Sequence, residues 1–293
     1  MAAPTTQTLP VHRDERGEPV LVVALEQEAP VVVLDRPLLE RLAATLDGLD
    51  FDGVAGLVLA SASERVFVAG ADLKAVRDLD DAALHEYLQF GASVFARLHE
   101  VPVWTAAAIH GAALGGGLEL AMHCDALIGA PGAKPYPIGL PEAGLAICPG
   151  WGGTNLLPAR IDPARAIAAT AAGTPLPYPE AVDAGMFDLI GSDAAGVRAL
   201  AADWVRGRGA PPHRDGAPSR WIGRDPASAA EALDSARGEL GDSGPARAIV
   251  DAVEVGLRDG WAAALSCERD HLVRLRHEPA GVQAIAAFFA RSK

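Results

Sequence analysis

Cysteine is scarce in this 293-residue chain: Cys124, Cys148 and Cys267 are odd in number and far apart. They form neither a disulfide framework nor a metal-spaced cluster, and sparse thiols suit a reducing cytoplasm. Positive charge is also short, with 25 Lys and Arg against 38 Asp and Glu and a formal charge of −13. That balance disfavours a nucleic-acid backbone as the main partner, although local backbone dipoles can still bind an anion. The opening MAAPTTQTLPVHRDERGEP lacks the apolar core of a signal peptide. The long uncharged span from Val101 to Leu118 holds Pro102, His110 and four glycines. It is expected to be a buried strand, turn and helix start, not a membrane span. These absences predict a cytoplasmic protein with no membrane or nucleic-acid partner.

What is present is enough apolar material for a large core, since 50% of residues are hydrophobic. Val20–Leu25 and Val31–Leu34 are short β-rich runs expected to form a hairpin or paired strands. Leu38, Leu39, Leu42, Leu46 and Leu49 recur at helical spacing and predict a helix over 36–49. Strands are predicted at 56–60, 66–68 and 103–109, with a helix over 80–98. This alternation argues for an α/β fold with crossover connections. From about Pro163 the strand signal fades into alanine-rich helices, broken by GRGAPPHRDGAPS, and 245–293 reads as two or three helices. No internal repeat of fixed period is found.

The most telling stretch is AALGGGLELAMHCD, residues 112–125. Three glycines stand before a helix-favouring run that a glutamate, Glu119, interrupts. A strand turning through glycines into a helix leaves the first N–H groups unpaired, next to the positive end of the helix dipole. Such a turn can hold a phosphate, a carboxylate or an oxyanion, and close helix–strand packing also selects small residues there. A phosphate-loop reading fails for want of a following Gly-Lys-Ser/Thr, and a dinucleotide fingerprint fails because the spacing is GGG and not GxGxxG. Two further segments matter. FVAGADLK, residues 67–74, is a small-residue turn after a strand that could supply a second backbone N–H. IGLPEAGLAICPGWGGT, residues 138–154, places Glu142 in a run otherwise apolar or glycine-rich.

In order and spacing these three segments resemble the crotonase (enoyl-CoA hydratase/isomerase) superfamily, with the likeness extending from about Val20 to Ile190. IGLPE, CPGWGGT and the closing SGPARAIVDAVEVGL…CERDHLVRL…AIAAFFARSK resemble, more weakly, the hydratase portion of multifunctional fatty-acid-oxidation subunits. In those proteins a dehydrogenase domain follows; none is expected here. The resemblance implies a spiral of ββα units with a helical C-terminal trimerisation region. The expected divisions are a flexible N-terminus over 1–17, a core over 18–195 and a helical region over 196–293.

The resemblance also implies an enoyl-CoA hydratase acting on an acyl-CoA thioester, with no separate cofactor and no metal, assembled as a homotrimer or dimer of trimers. By that likeness the N–H groups of Ala71 and Gly116 form an oxyanion hole, Glu119 is the main water base and Glu142 gives a proton to C2. Ala69, Asp72, Leu73, Lys74 and Gly115 match substrate- and CoA-binding positions, Lys74 facing the phosphates; alternatively Lys74 is a solvated helix-start residue. A Δ3–Δ2 enoyl-CoA isomerase, another crotonase-type reaction and a non-catalytic partner subunit are the competing readings. His110 and His123 have no paired carboxylate at triad-like spacing and read as packing or solvent residues, and Cys148 reads as a small core residue. Trp151 and Tyr136 either line the acyl pocket or simply pack; for Phe288-Phe289, core packing is the stronger explanation. The chain departs from the family pattern at Pro131–Pro137, an insertion between the glutamates, at Ala146 in place of glycine, at Leu156 in place of arginine, and near Val33, which lacks the usual Asn-Ala.

Overall fold

The computed structural model describes residues 7–210 and 213–291. Val11–Asp14 (β1) and Val20–Leu25 (β2) lead into helix Arg36–Asp47 (α1), and three turns of strand, strand and helix follow. The first is Gly56–Ser61 (β3), Val66–Val68 (β4), and Leu73–Asp78 with Asp81–Ala96 (α2, α3). Next come Trp104–Ile109 (β5), Ala112–Leu114 (β6) and Gly116–Met122 (α4). The third turn is Ala126–Gly129 (β7), Pro137–Gly139 (β8), and Gly153–Leu156 with Pro163–Ala172 (α5, α6). Leu176–Pro177 (β9), Tyr178–Asp183 (α7) and Leu189–Ile190 (β10) close the strand-bearing part. Val197–Arg206 (α8), Pro226–Arg237 (α9), Gly244–Asp259 (α10), Trp261–Leu275 (α11) and Pro279–Arg291 (α12) complete the chain.

Each turn gives its first strand to one sheet and its second to another. The larger sheet has the order β1-β2-β3-β5-β7-β10 and the smaller β4-β6-β8-β9. This is the spiral of ββα units that the resemblance implies. In the larger sheet β2, β3, β5, β7 and β10 are parallel neighbours, and β1 caps the edge antiparallel to β2. Parallel strands buried on both faces read as unbroken apolar runs, and β2 and β3 are buried at every position. Their side chains divide by alternation. Leu21, Val23, Leu57, Leu59 and Ile109 join the main core, while Val20, Val22, Val58, Ala106 and Ile128 face Val197, Ala201 and Val205 of α8.

Two expectations need correction. Val31–Leu34 forms no hairpin with β2: Val32 and Leu34 instead bond along 69–70, through Ala69 N–H to Val32 O (2.8 Å) and Leu34 N–H to Gly70 O (2.9 Å). Residues 26–30 carry the chain away from the larger sheet, and the freed run lies against the small-residue turn. Within the stretch expected to be flexible, Val11–Asp14 is a strand, because the open edge of β2 offers it a ladder of backbone partners; residues 1–6 lie outside the described residues. Helix α8 falls at the start of the helical region expected over 196–293, and its i, i+4, i+8 stripe covers the back of the sheet. Of the two or three helices expected over 245–293, three form, α10, α11 and α12, and residues 292–293 lie outside the described residues.

Candidate active site

The smaller sheet gathers the three telling segments. β4, β6 and β8 run parallel, with Val68 opposite Ala113 and Leu114 opposite Gly139. Parallel neighbours end on the same side, so the turns after Val68, Leu114 and Gly139 leave one edge together. They carry Ala71, Gly116 and Glu142. Gly115 N–H donates to Gly139 O at 2.9 Å and ties the second turn to the third.

Gly115 has φ 52° and ψ −128°, a conformation natural to glycine. A Cβ there would lie 2.3 Å from Glu142 Oε1, so the missing side chain makes room for that carboxyl. At Gly116 a Cβ would lie 2.3 Å from Cζ3 of Trp151. The sequence suggests that glycine at 116 clears the way for a ligand; in the fold it clears the way for a tryptophan. Gly116 and Gly117 are the first residues of α4, and among the described residues neither N–H has a backbone acceptor. On the neighbouring turn the N–H groups of Ala69, Asp72 and Lys74 are taken by Val32 O, the Tyr87 hydroxyl and Asp72 Oδ1. Among the described residues no acceptor is found for the Ala71 N–H.

Glu119 is buried on α4. Its Oε1 accepts from the N–H groups of Trp151 and Gly153, both at 2.8 Å. Glu142 opens a 3-10 turn over 142–145, and its buried Oε2 has no hydrogen-bond partner among the described residues. Burial pushes Glu142 up to about 8. Glu119 is raised as well, by burial first and then by the negative charges of Glu268 and Glu142. The two sites nevertheless differ in kind. Two N–H donors on Oε1 act against the rise at Glu119; at Glu142 its own backbone N–H does so, and Oε2 is left without a donor among the described residues. Two carboxyls in different surroundings therefore stand beside main-chain N–H groups that have no acceptor among the described residues.

Glu268, on α11, is not among the residues that the sequence singles out. It is fully buried and accepts from Gly152 N–H (2.5 Å), Thr154 N–H (2.9 Å) and the Thr154 hydroxyl. A signal existed: Trp261, Ala264, Glu268, Leu272 and Leu275 form the buried stripe of this helix, with a carboxylate in its middle. A charge inside an apolar stripe is the informative exception.

The other candidates fall on two sides. Lys74 is exposed and lines a cleft of about 650 Å³ with Asp72, Gln27 and Arg41. Asp72 caps α2 through Lys74 N–H, while Ala69 and Leu73 are half-buried beside it. Trp151 and Tyr136 are core residues, bonded through Nε1 to Leu88 O (2.8 Å) and through the hydroxyl to Ala130 O (2.6 Å). His110 pairs with Ser63 O and His123 with Trp151 O, and burial pushes the Cys148 thiol up, which leaves it protonated. Phe288 and Phe289 meet edge to face, and Arg77 of α2 lies over the Phe289 ring at 4.2 Å. The described residues contain no helix long and apolar enough to cross a membrane.

Comparisons with known proteins place the chain's family and fold. A probable enoyl-CoA hydratase of Bacillus subtilis is 38% identical over 183 residues, 60% of this chain and 69% of that protein. The fatty acid oxidation complex subunit alpha of Aliivibrio fischeri is 31% identical over 87% of this chain, a match that spans only 38% of the subunit. The human mitochondrial delta3-delta2-enoyl-CoA isomerase superposes with a TM-score of 0.69 over 97% of this chain and 98% of that one, at 22% identity, which shows the shared fold. The family described as enoyl-CoA hydratase/isomerase matches residues 15–206, and the chain belongs to it.

Proposed function

We propose that the chain is an enoyl-CoA hydratase, adding water across the 2,3-double bond of an enoyl-CoA thioester to give the 3-hydroxyacyl-CoA. One observation carries this reading: two buried carboxyls, Glu119 with two N–H donors on Oε1 and Glu142 with its Oε2 unpartnered among the described residues, converge on the edge where the Ala71 and Gly116 turns end.

The chemistry follows from those differences. Ala71 and Gly116 donate their N–H groups to the thioester oxygen as charge develops on it, and the dipole of α4 adds to the same field. Losing one such donor typically costs about 3 kcal/mol of transition-state stabilisation. Glu119 takes a proton from water as its oxygen attacks C3, and Glu142 delivers its proton to C2. The coupled carboxyls share their protons, so the division describes the dominant state. Lys74, exposed on the rim of a cleft that Asp72 also lines, receives the phosphates of coenzyme A; family likeness assigns Ala69, Leu73 and Gly115 to the same binding. The reaction needs no further cofactor and no metal.

We carry two wider expectations into this reading. Three unpaired thiols suit a reducing cytoplasm. Family likeness suggests a homotrimer or dimer of trimers, and a monomeric mass by light scattering counts against it.

Loss of the conjugated absorbance of crotonyl-CoA, with the product identified by mass, tests the activity. Folded Glu119→Gln and Glu142→Gln proteins should each lose most of it. Movement of a Δ3 double bond without hydration would assign the isomerase reaction instead, and near-native turnover in either variant would reject the acid–base pair.

A further inference from the structure

Four successive backbone N–H groups, from Trp151 to Thr154, are shared alternately between two buried carboxylates on different helices. Trp151 and Gly153 donate to Glu119 on α4; Gly152 and Thr154 donate to Glu268 on α11. Gly152, at φ 101°, turns the chain into α5, and a Cβ there would lie 2.2 Å from the ring of Trp261, the first residue of α11. The segment is thus held from both sides. Without Glu268 two N–H groups would be buried with no acceptor. The hydration chemistry gives Glu268 no proton to move, so its burial needs another reason.

We infer that Glu268 is a positioning residue: by holding Gly152 and Thr154 it fixes the segment that aims the Trp151 and Gly153 N–H groups at Oε1 of Glu119. Both of those bonds go to Oε1, which leaves Oε2 of Glu119 for the reacting water. The reaction assigned to Glu119 rests on the hydratase reading; the mechanical link between the two carboxylates does not.

The charge of Glu268 acts on the same pair, raising both Glu119 and Glu142. Around it stand Cys148, Cys267 and Arg269, of which Arg269 alone opposes its charge. Further out, Asp251 of α10 is paired with His271, and His85 of α3 faces Asp270 at 3.9 Å. Burial raises Glu268 as well, against its donors from Thr154 and Gly152, and in its ionised form it helps Glu142 keep its proton.

The full chain and its Glu268→Gln, Glu268→Asp and Thr154→Val variants test this. With crotonyl-CoA, Glu268→Gln should lose about tenfold to a hundredfold in kcat, the scale of a small displacement of a catalytic group. KM should stay within about threefold, because substrate contacts are untouched. Its alkaline limb of activity should move to lower pH, while Glu268→Asp keeps the charge and recovers the limb. Thr154→Val, which deletes only the hydroxyl bond and keeps the Glu268 charge, should lower kcat less without moving the limb, and it replaces Glu268→Gln in the kcat and unfolding comparisons if that variant does not fold. Unchanged kcat together with an unmoved limb overturns the inference. If the wild-type chain hydrates no enoyl-CoA, the hydratase reading fails, and unfolding midpoints decide the inference alone. Midpoint shifts of Glu119→Gln and the Glu268 variant that fail to add in the double variant support it; additive shifts overturn it.

Discussion

The indole of Trp151 fills the space that a side chain at Gly116 would need, with Cζ3 2.3 Å from where its Cβ would stand. The ring cannot retreat. Its Nε1 is bonded to Leu88 O, a Cβ at Gly91 would meet the same Nε1 at 2.6 Å, and Phe95 packs on it with ring centroids 5.2 Å apart. The floor under the candidate oxyanion donor is one side chain wedged between two glycines.

Gly116→Ala should therefore destabilise the fold by about 1–3 kcal/mol, the usual cost of overpacking a well-filled core. Trp151→Leu makes room at that position while opening a cavity of its own. In the double variant the two costs should fall short of their sum, because the cavity accepts the new methyl. Denaturant midpoints of the two single variants and the double check this; strict additivity would separate the two residues.

Glu142 gives a pH prediction with a definite sign. Burial raises it from its ordinary 4.5 to about 8, so between those values the folded chain holds a proton that the unfolded chain has released. Stability should then fall as pH rises through this window, by about 1.4 kcal/mol per pH unit at most. In Glu142→Gln that contribution is absent. The stability of the variant relative to wild type should climb from pH 5 and level off above pH 8, as read by urea unfolding. Wild-type hydration should decline over the alkaline end of the same range, as the proton donor is lost.

Ala146 ends the turn that begins at Glu142, with φ 57° and ψ 28°, and is the one non-glycine at positive φ among the described residues. An L-residue in this region costs roughly 1–2 kcal/mol, against which glycine gives back roughly 0.5–1 kcal/mol in unfolded-chain entropy. Ala146→Gly should stabilise the chain by about 0.5–1 kcal/mol, measured by denaturation. The position that departs from the family pattern is thus also a strained one, on the turn that presents Glu142.

Much of this was legible in the residues, and the failures have physical causes. Strands buried on both faces announced themselves as apolar runs at 20–25 and 56–60, and Glu119 and Glu142 stood out as carboxylates in apolar surroundings. The reason for Gly116 was not legible, because the ring it accommodates comes from a segment distant in sequence. Val31–Leu34 carries β-branched residues but pairs irregularly with 69–71 through a single bridge, Leu34 to Ala71, and local propensity cannot specify that partner. Glu268 was hidden differently. CERDHLVRL reads as a charged surface helix until the stripe through Trp261, Ala264 and Leu272 is followed, and even then the acceptor role depends on N–H groups over a hundred positions earlier in the chain.

A last prediction concerns what lies behind the site. His99 and His123 are buried with ring centroids 5.3 Å apart, and neither nitrogen of His99 has a hydrogen-bond partner among the described residues. Burial, with the charge of Arg214 second, lowers His99 to about 4; burial, with His99 second, lowers His123 to about 3. Both rings are neutral at pH 7 in the folded chain. Below the ordinary value near 6.5 the unfolded chain gains protons that the folded chain refuses, so these histidines withdraw stability as pH falls from about 6.5 towards 4. Replacing His99 by leucine removes two unsatisfied polar atoms, and the apolar side chain costs nothing to bury in that setting. His99→Leu should be at least as stable as wild type at pH 7.5. Its advantage should grow by up to about 1.4 kcal/mol per pH unit on acidification, because one of the two titrating rings is gone. The difference between the two urea-unfolding curves across pH 4.5–7.5 measures that advantage directly. A flat difference would mean that His99 is as free to take a proton in the folded chain as in the unfolded one, and the His123 ring, which holds Trp151 O at 3.1 Å, would then lose its neutral neighbour as pH falls.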